Sequence, residues 1–233
     1  MHVNKECMKA LLSTIICFFI LIQVQFAQFN IQIGYGAAYT NPTVNNQILD
    51  LYNKENSWMS KPLSDLQFFH GIVLGAKYSF ENIAIGLNWK NRGKGLISEG
   101  IQPSSNTEYQ YELFYKYQSF GFNVETAGTF LSLGTSLDYG LFQVKDRATG
   151  QKKKTQFLSE DNWGSHFYLN INLPTRSYLG ITIQPYYFVN WNSINLSKLS
   201  ERLLNTAITT NSLGKFNQIG VSLIFNNGPQ KNY

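Results

Sequence analysis

Apolar and polar residues alternate through almost the whole chain after residue 28, and this constrains the fold more than any other feature. Successive side chains of a strand point to opposite sides, so a period of two marks a strand with one apolar face. Eight such segments can be read, at about residues 29–39, 66–80, 83–98, 107–125, 129–146, 164–173, 178–191 and 215–225. In the first, Phe29, Ile31, Ile33, Tyr35, Ala37 and Tyr39 share one face, and Asn30, Gln32, Gly34 and Gly36 the other. In the fourth, the apolar residues move from odd positions (Tyr109 to Tyr117) to even ones (Phe120, Phe122, Val124). A β-bulge near Ser119, one inserted residue, would keep them on one face.

The connections alternate in length. Short turns are expected near Glu81-Asn82, Thr126–Gly128 and Pro174–Ser177, and longer loops over 40–65, 99–106, 147–163 and 192–214. Short turns at one end and long loops at the other are the layout of an eight-stranded antiparallel up-and-down transmembrane β-barrel. A soluble sandwich does not need that asymmetry.

Composition bears on which face meets lipid. Charged residues are 14% and aromatics 15%, against roughly 25% charged in soluble globular proteins. That balance opposes disorder. The second face is rich in Gly, Ser, Asn and Gln, which suit a crowded interior. Aromatics gather at both ends of the apolar strips: Phe29, Tyr78, Phe80, Phe122, Tyr178 and Phe225 at the turn end, and Tyr39, Phe68, Trp89, Tyr109, Tyr139, Trp163 and Trp191 at the loop end. Two belts fit two membrane–water interfaces. The competing reading is a lipocalin-like soluble barrel around an apolar ligand.

Residues 1–28 read as a secretory signal peptide, with Lys5 and Lys9 before an apolar run and a cleavage site near Ala27-Gln28. Residues 10–22 are the one long apolar run, too short for a spanning helix of about 20 residues. Cys7 and Cys17 both fall in this leader. Its removal takes away Lys5, Lys9 and Glu6, so the net charge falls from +5 to +4. So small an excess gives no reason to expect nucleic acid. The barrel is then expected over 29–225, with a short periplasmic tail over 226–233.

At this point the chain resembles the small eight-stranded outer-membrane β-barrels of Gram-negative bacteria. The Ala27-Gln28 leader end and the Asn-, Lys- and Ile-rich composition are similar to members from Bacteroidota. The terminal strand Phe216–Phe225 ends in an aromatic, similar to the signal that the family's barrel-assembly machinery reads, although here Asn226–Tyr233 follow it. The resemblance implies a location in the cell outer membrane, among its lipids. Such barrels include pores, adhesins, enzymes and anchors, so the class does not fix one function.

Inward charges can be placed by hairpin register. A loop centred near residue 101 would set Lys90 opposite Glu112 and Arg92 opposite Glu108. A turn centred near 127 would set Lys116 opposite Asp138. The expectation is an interior ion-pair ladder that plugs the lumen, because buried charges need partners; the alternative is a polar constriction in a thin pore. Outside the leader, His70 and His166 are the only histidines and there is no cysteine. No metal-ligand spacing is present, and no cofactor is expected. Ser165 and His166 are adjacent, so on a strand they point to opposite faces and make a poor nucleophile–base pair. No catalytic set is expected.

What function there is should then lie in the loops. Thr43–Met59 carries Val44, Ile48, Leu51 and Tyr52 at helical spacing, and 194–208 carries Ile194, Leu196, Leu199, Leu203 and Leu204. The first is expected to cap the barrel mouth. Lys152, Lys153 and Lys154 are either a contact for anionic lipid phosphates or a solvated charge run. The expected role is structural or surface-binding, through extracellular loops and an unidentified surface ligand or outer-membrane complex. A narrow pore is the alternative, and an enzyme acting on outer-leaflet lipid a third reading.

Overall fold

The computed structural model describes residues 29–80, 82–174, 179–204 and 212–227. The leader, Glu81, most of the turn at Pro174–Ser177, Tyr178, part of the loop before the last strand and the tail beyond Asn227 lie outside the described residues. The elements in chain order are β1 (Phe29–Thr40), α1 (Thr43–Glu55), β2 (Phe68–Ser79), β3 (Ile83–Gln102), β4 (Thr107–Thr126), β5 (Leu131–Ala148) and β6 (Thr155–Leu173). They continue with β7 (Leu179–Asn190), β8 (Ile194–Asn195), α2 (Ser197–Leu204), β9 (Leu213–Gly214) and β10 (Gln218–Asn227). Strands β1 to β7 and β10 form a closed antiparallel barrel in which β10 seals against β1. The short β8 and β9 pair with each other in the loop before β10.

The register gives the barrel its shape. A row of partners starting at Asn190 runs through Gly164, Asp138, Gly121, Asn88, Gly75, Gln32 and Asn226 and returns to β7 at Gly180. It comes back ten residues from its start. With ~3.3 Å of rise per residue and ~4.8 Å between strands, eight strands staggered by ten residues tilt by about 41°. That lies within the range of outer-membrane-type barrels.

Strand lengths are unequal, and this divides the molecule in two. β1, β2, β7 and β10 have 10–12 residues, enough to cross a membrane, which takes about 9–11. β3 to β6 have 18–20 and project as a tall wall. Along β4 and β5 the polarity of the two faces inverts. On β5 the outward residues run Leu131, Leu133, Leu137 and Tyr139, and then Gln143, Lys145 and Arg147. The inward ones run Ser132, Ser136 and Asp138, and then Phe142 and Val144. The change follows the solvent. Where lipid surrounds the barrel the outside is apolar, with Phe120 65% and Leu133 66% exposed. Where water surrounds it the inside is apolar, with Leu113 and Phe142 fully buried. An aromatic row marks the boundary: Trp89 pairs with Phe120, Phe120 with Tyr139, and Tyr139 with Trp163. The Trp163 carbonyl accepts the Trp191 N–H at 2.9 Å.

This inversion corrects the reading of β4. No bulge interrupts it; its pairing with β3 is continuous from Thr126 to Thr107. Tyr111, Leu113, Tyr115 and Tyr117 point inward with Ser119, Asn123 and Glu125. The parity is constant, and the solvent around it changes. Strand likewise takes half of the loop expected over 99–106 and most of that expected over 147–163, leaving connections of 103–106 and 149–154. Tyr109, expected in the interfacial belt, stands above it with its ring 5.7 Å from that of Trp58. The last strand begins at Gln218, and Phe216 before it is buried against Phe142.

The two helices roof the wall. On α1, Ile48, Leu49 and Tyr52 recur at helical spacing and face inward. The helix ends where the Asn56 N–H and Nδ2 both return to the Tyr52 carbonyl, at 3.0 and 2.9 Å. Asn53 holds the following segment against it, accepting the Leu63 N–H at 2.9 Å and donating to the Leu63 carbonyl at 2.8 Å. On α2, Leu199, Leu203 and Leu204 are buried. These side chains share one core with Leu96, Leu113, Phe142, Val144, Leu158 and Phe216. Each fully buried aliphatic side chain stabilises such a core by roughly 1.5–3 kcal/mol. The wall and the two helices form a packed head on the loop end of the barrel.

Candidate functional site

Below the head the interior is polar and crowded. Lys90 on β3 pairs with Asp138 on β5, Nζ to Oδ2 at 2.9 Å, both buried. His166 on β6 brings Nδ1 to the same oxygen at 2.9 Å and lies 3.1 Å from the Lys90 Nζ. Ser119 donates to Asp138 Oδ2 at 3.2 Å, and Ser136 donates to Oδ1. Arg92 donates to Gln218 Oε1 at 2.9 Å and stacks over the Tyr186 ring, 4.6 Å from its centre. Nearer the turn end, Glu125 takes Lys77 on one oxygen and Asn170 (2.8 Å) and Tyr168 (3.3 Å) on the other. Glycines make this crowding fit. Tyr117 lies over Gly140, Tyr168 over Gly134, Phe188 over Gly164 and Tyr186 over Gly220, each where a Cβ would overlap the ring.

The expected ladder is therefore re-paired. Lys90, Arg92 and Asp138 do face the lumen, but Lys90 meets Asp138 and not Glu112, and Arg92 meets Gln218 and not Glu108. The β3–β4 turn is centred between Ser104 and Ser105, beyond the expected 101, so Lys90 stands opposite Ser119. The β4–β5 turn lies later as well, and Lys116 stands opposite Gln143. Glu108, Glu112 and Lys116 have the outward parity of β4, in the head. Glu112 takes Arg147 there in a two-pronged pair at 2.8 and 3.1 Å, and Glu108 is exposed near the strand tip. His166, Gln218 and the Glu125–Lys77 pair were not foreseen. All four have inward parity on their strands, the one sequence signal that could have found them. Ser165 and His166 occupy opposite faces as expected, and His70 is on the outer face beside the Tyr35 hydroxyl.

The head carries two further features. A cleft of about 410 Å³ opens between the end of α1, α2 and the upper ends of β4 and β5, lined among others by Tyr52, Glu55, Tyr109, Tyr111, Asp146 and Arg202. Asp146 is 1% exposed. Its Oδ2 accepts the Tyr111 hydroxyl at 3.0 Å and Arg202 Nε at 2.7 Å, while Oδ1 has no partner among the described residues. Burial, then the charge of Asp146, holds the Tyr109 and Tyr111 hydroxyls above their ordinary range. The hydrogen bond to Asp146 holds Arg202 more firmly charged. Around the outside, Lys116, Lys145 and Arg147 stand on the outer face of the wall, four, six and eight residues beyond the aromatic row. Lys154 rests its Nζ 3.0 Å from the centre of the Phe114 ring. Partial desolvation, then neighbouring Arg147, lowers the Lys154 ammonium below its usual range. Lys152 and Lys153 are exposed in the β5–β6 connection. Among the described residues no group of three metal-ligating side chains occurs.

Comparison with known proteins gives likenesses of fold. The chain is similar to the attachment invasion locus protein Ail of Yersinia pestis, at 13% identity and a TM-score of 0.48, over 85% of this chain and 97% of that one. It is similar to Neisserial surface protein A at 9% identity and 0.41, over 84% and 95%. It is similar to the outer membrane protease OmpT of Escherichia coli at 10% and 0.37, over 85% and 95%. No family model matches the chain, and no curated protein does. The closed strand order, the even strand number and the lipid-facing belt of this chain make it an outer-membrane-type β-barrel.

Proposed function

We propose that this protein is a non-enzymatic barrel of the cell outer membrane that acts through its extracellular head, as a rigid surface-binding module. The observation that carries the reading is the filled lumen beneath a packed head. Lys90, Asp138 and His166 occupy the middle of the barrel, and Phe142, Phe188 and Phe216 the space above them, each buried. Eight-stranded barrels are normally filled by side chains, and ordered helices over the mouth serve binding better than diffusion. The partners in this reading are the lipids around the belt, the barrel-assembly machinery during insertion, and an unidentified surface ligand or complex. A source in Bacteroidota belongs to the same reading. The test is planar-bilayer recording of the purified protein: no unitary conductance is expected, and steady open channels would refute the closed lumen.

One observation favours a narrow pore as the second reading. The Lys90–Asp138 pair sits at the middle of the lumen, where breaking it would free a polar path. Conductance that appears only in Lys90→Ala or Asp138→Ala would support that reading. A lipid-modifying enzyme has less support. Asp138 and His166 make two members of a triad, but His166 Nε2 is buried with no hydrogen-bond partner among the described residues, and a triad needs a nucleophile there.

A further inference from the structure

The cleft beside Asp146 has a chemistry that selects its ligand. Its volume of about 410 Å³ falls in the range of small-molecule sites. It offers groups of both signs at close quarters: acceptors on Glu55 and Asp146, a guanidinium on Arg202, and three phenols. Tyr52 and Tyr111, tilted to each other with ring centres 5.6 Å apart, form the buried floor, and Tyr109, half-buried and braced by Trp58, forms a wall. Asp146 Oδ1 is recessed and lacks a partner among the described residues, and an unmet buried acceptor is costly. The accessible acceptors of the cleft are the carboxylate oxygens of Glu55, which is exposed at its edge. Anions are disfavoured by the two carboxylates. A second cation is disfavoured by Arg202, already 2.7 Å from Asp146. A metal ion is disfavoured for the same reason. A neutral ring bearing hydroxyls meets every condition: its hydroxyls can donate to Glu55 and accept from Arg202, and the ring's C–H face can lie on Tyr109.

We propose that this cleft binds a single pyranose unit of a neutral glycan. The proposal rests on the reading of the head as a surface-binding module and names its ligand class. The sugar can come from the cell's own surface glycolipid or from an external glycan; the binding chemistry is the same.

The test uses the full-length protein in lipid nanodiscs, because detergents with sugar headgroups would compete. Methyl glycosides of glucose, galactose, mannose and N-acetylglucosamine are titrated, with saturation-transfer NMR and the fluorescence of Trp58 as readouts. At least one glycoside is expected to bind with a dissociation constant on the order of 1 mM. Tyr109→Ala and Glu55→Gln, at accessible positions that should not disturb folding, are expected to weaken it about tenfold. Lys152→Ala should leave it unchanged. Competition by lipopolysaccharide in the disc would mark the cell's own glycan as the source, and an unchanged constant an external one; both retain the site. No binding by any glycoside, or binding that the Tyr109 and Glu55 variants do not alter, would overturn the proposal. In that event a silent bilayer recording leaves the surface-binding reading standing, whereas a conducting barrel removes that reading as well.

Discussion

Lys90 and Asp138 are two strands apart, and they meet at 2.9 Å because the residues between them on β4 are small: Ser119 opposite Lys90 and Gly121 opposite Asp138. A larger side chain there would stand between the ammonium and the carboxylate, whereas the serine lets them pass and donates to the same oxygen. With both charges buried, removing one strands the other, a loss of about 3–5 kcal/mol. Asp138→Ala should lower the unfolding free energy of the reconstituted barrel by that amount in urea titration. Ser119→Leu should do similar damage without touching a charge. The pair Lys90→Met with Asp138→Leu should cost less than Asp138→Ala alone. An Asp138→Ala barrel as stable as the parent would refute the buried pair.

The helical roof is held by apolar side chains packed on the wall. Leu49→Ala and Leu199→Ala empty fully buried positions on α1 and α2, and such truncations cost about 2–5 kcal/mol. The loss should fall on the head. Limited proteolysis is expected to cut within 41–67 in Leu49→Ala, while the shift in gel mobility on boiling, the mark of an intact barrel, persists. A barrel that fails to assemble in these variants would mean that the roof is needed for folding and does more than cover the mouth.

Alkaline pH should loosen the head through its tyrosines. Burial holds the Tyr52 and Tyr111 phenols above their ordinary value, which is about 10. At Tyr111 the nearby Asp146 carboxylate adds to the rise. A raised folded value means that the head favours the neutral phenol. That stabilisation is complete below about pH 10 and is lost as pH climbs through the folded values. Ultraviolet absorbance should show part of the tyrosinate appearing late, together with a cooperative change in near-ultraviolet circular dichroism. Smooth titration of every tyrosine near the ordinary value would contradict the packing around Tyr52 and Tyr111.

The basic ledge makes an electrostatic prediction. Lys145 and Lys154 stand on the outer wall, and Arg147 beside them is already neutralised by Glu112. Lys145→Gln with Lys154→Gln should weaken attraction of the barrel to vesicles with anionic headgroups by at most about 1 kcal/mol per residue, and the difference should shrink as salt is raised. Arg147→Ala should have the smaller effect. Equal partitioning of parent and double variant at low salt would refute a lipid role for the ledge.

Much of this architecture was legible because lipid-facing strands obey one rule. Ile31, Ile33, Leu87, Leu133, Phe167 and Leu223 fall on the apolar phase of the alternation, and they lie on the outer surface as expected. The roof was legible in the spacing of Ile48 and Tyr52 and of Leu199 and Leu203. The head wall was not, because the rule reverses above the membrane. Tyr111 to Tyr117 looked like a lipid strip and line an aqueous domain's core. Reading them as lipid-facing required a bulge, shortened both hairpins and moved each expected ion pair. The Asp146–Arg202 contact joins residues 56 positions apart, and no spacing in the sequence foretells it.

The polarity inversion also bears on how the chain finds its alignment. In an ordinary membrane barrel, slipping one strand by a single residue carries polar groups into lipid, and that is the only penalty. In β3 to β6 the same slip would also turn Leu96, Tyr115, Phe142 and Leu158 out into water. Each tall hairpin is therefore proofread by two solvents at once, from below by hydrocarbon and from above by water. An error tolerable to one is rejected by the other.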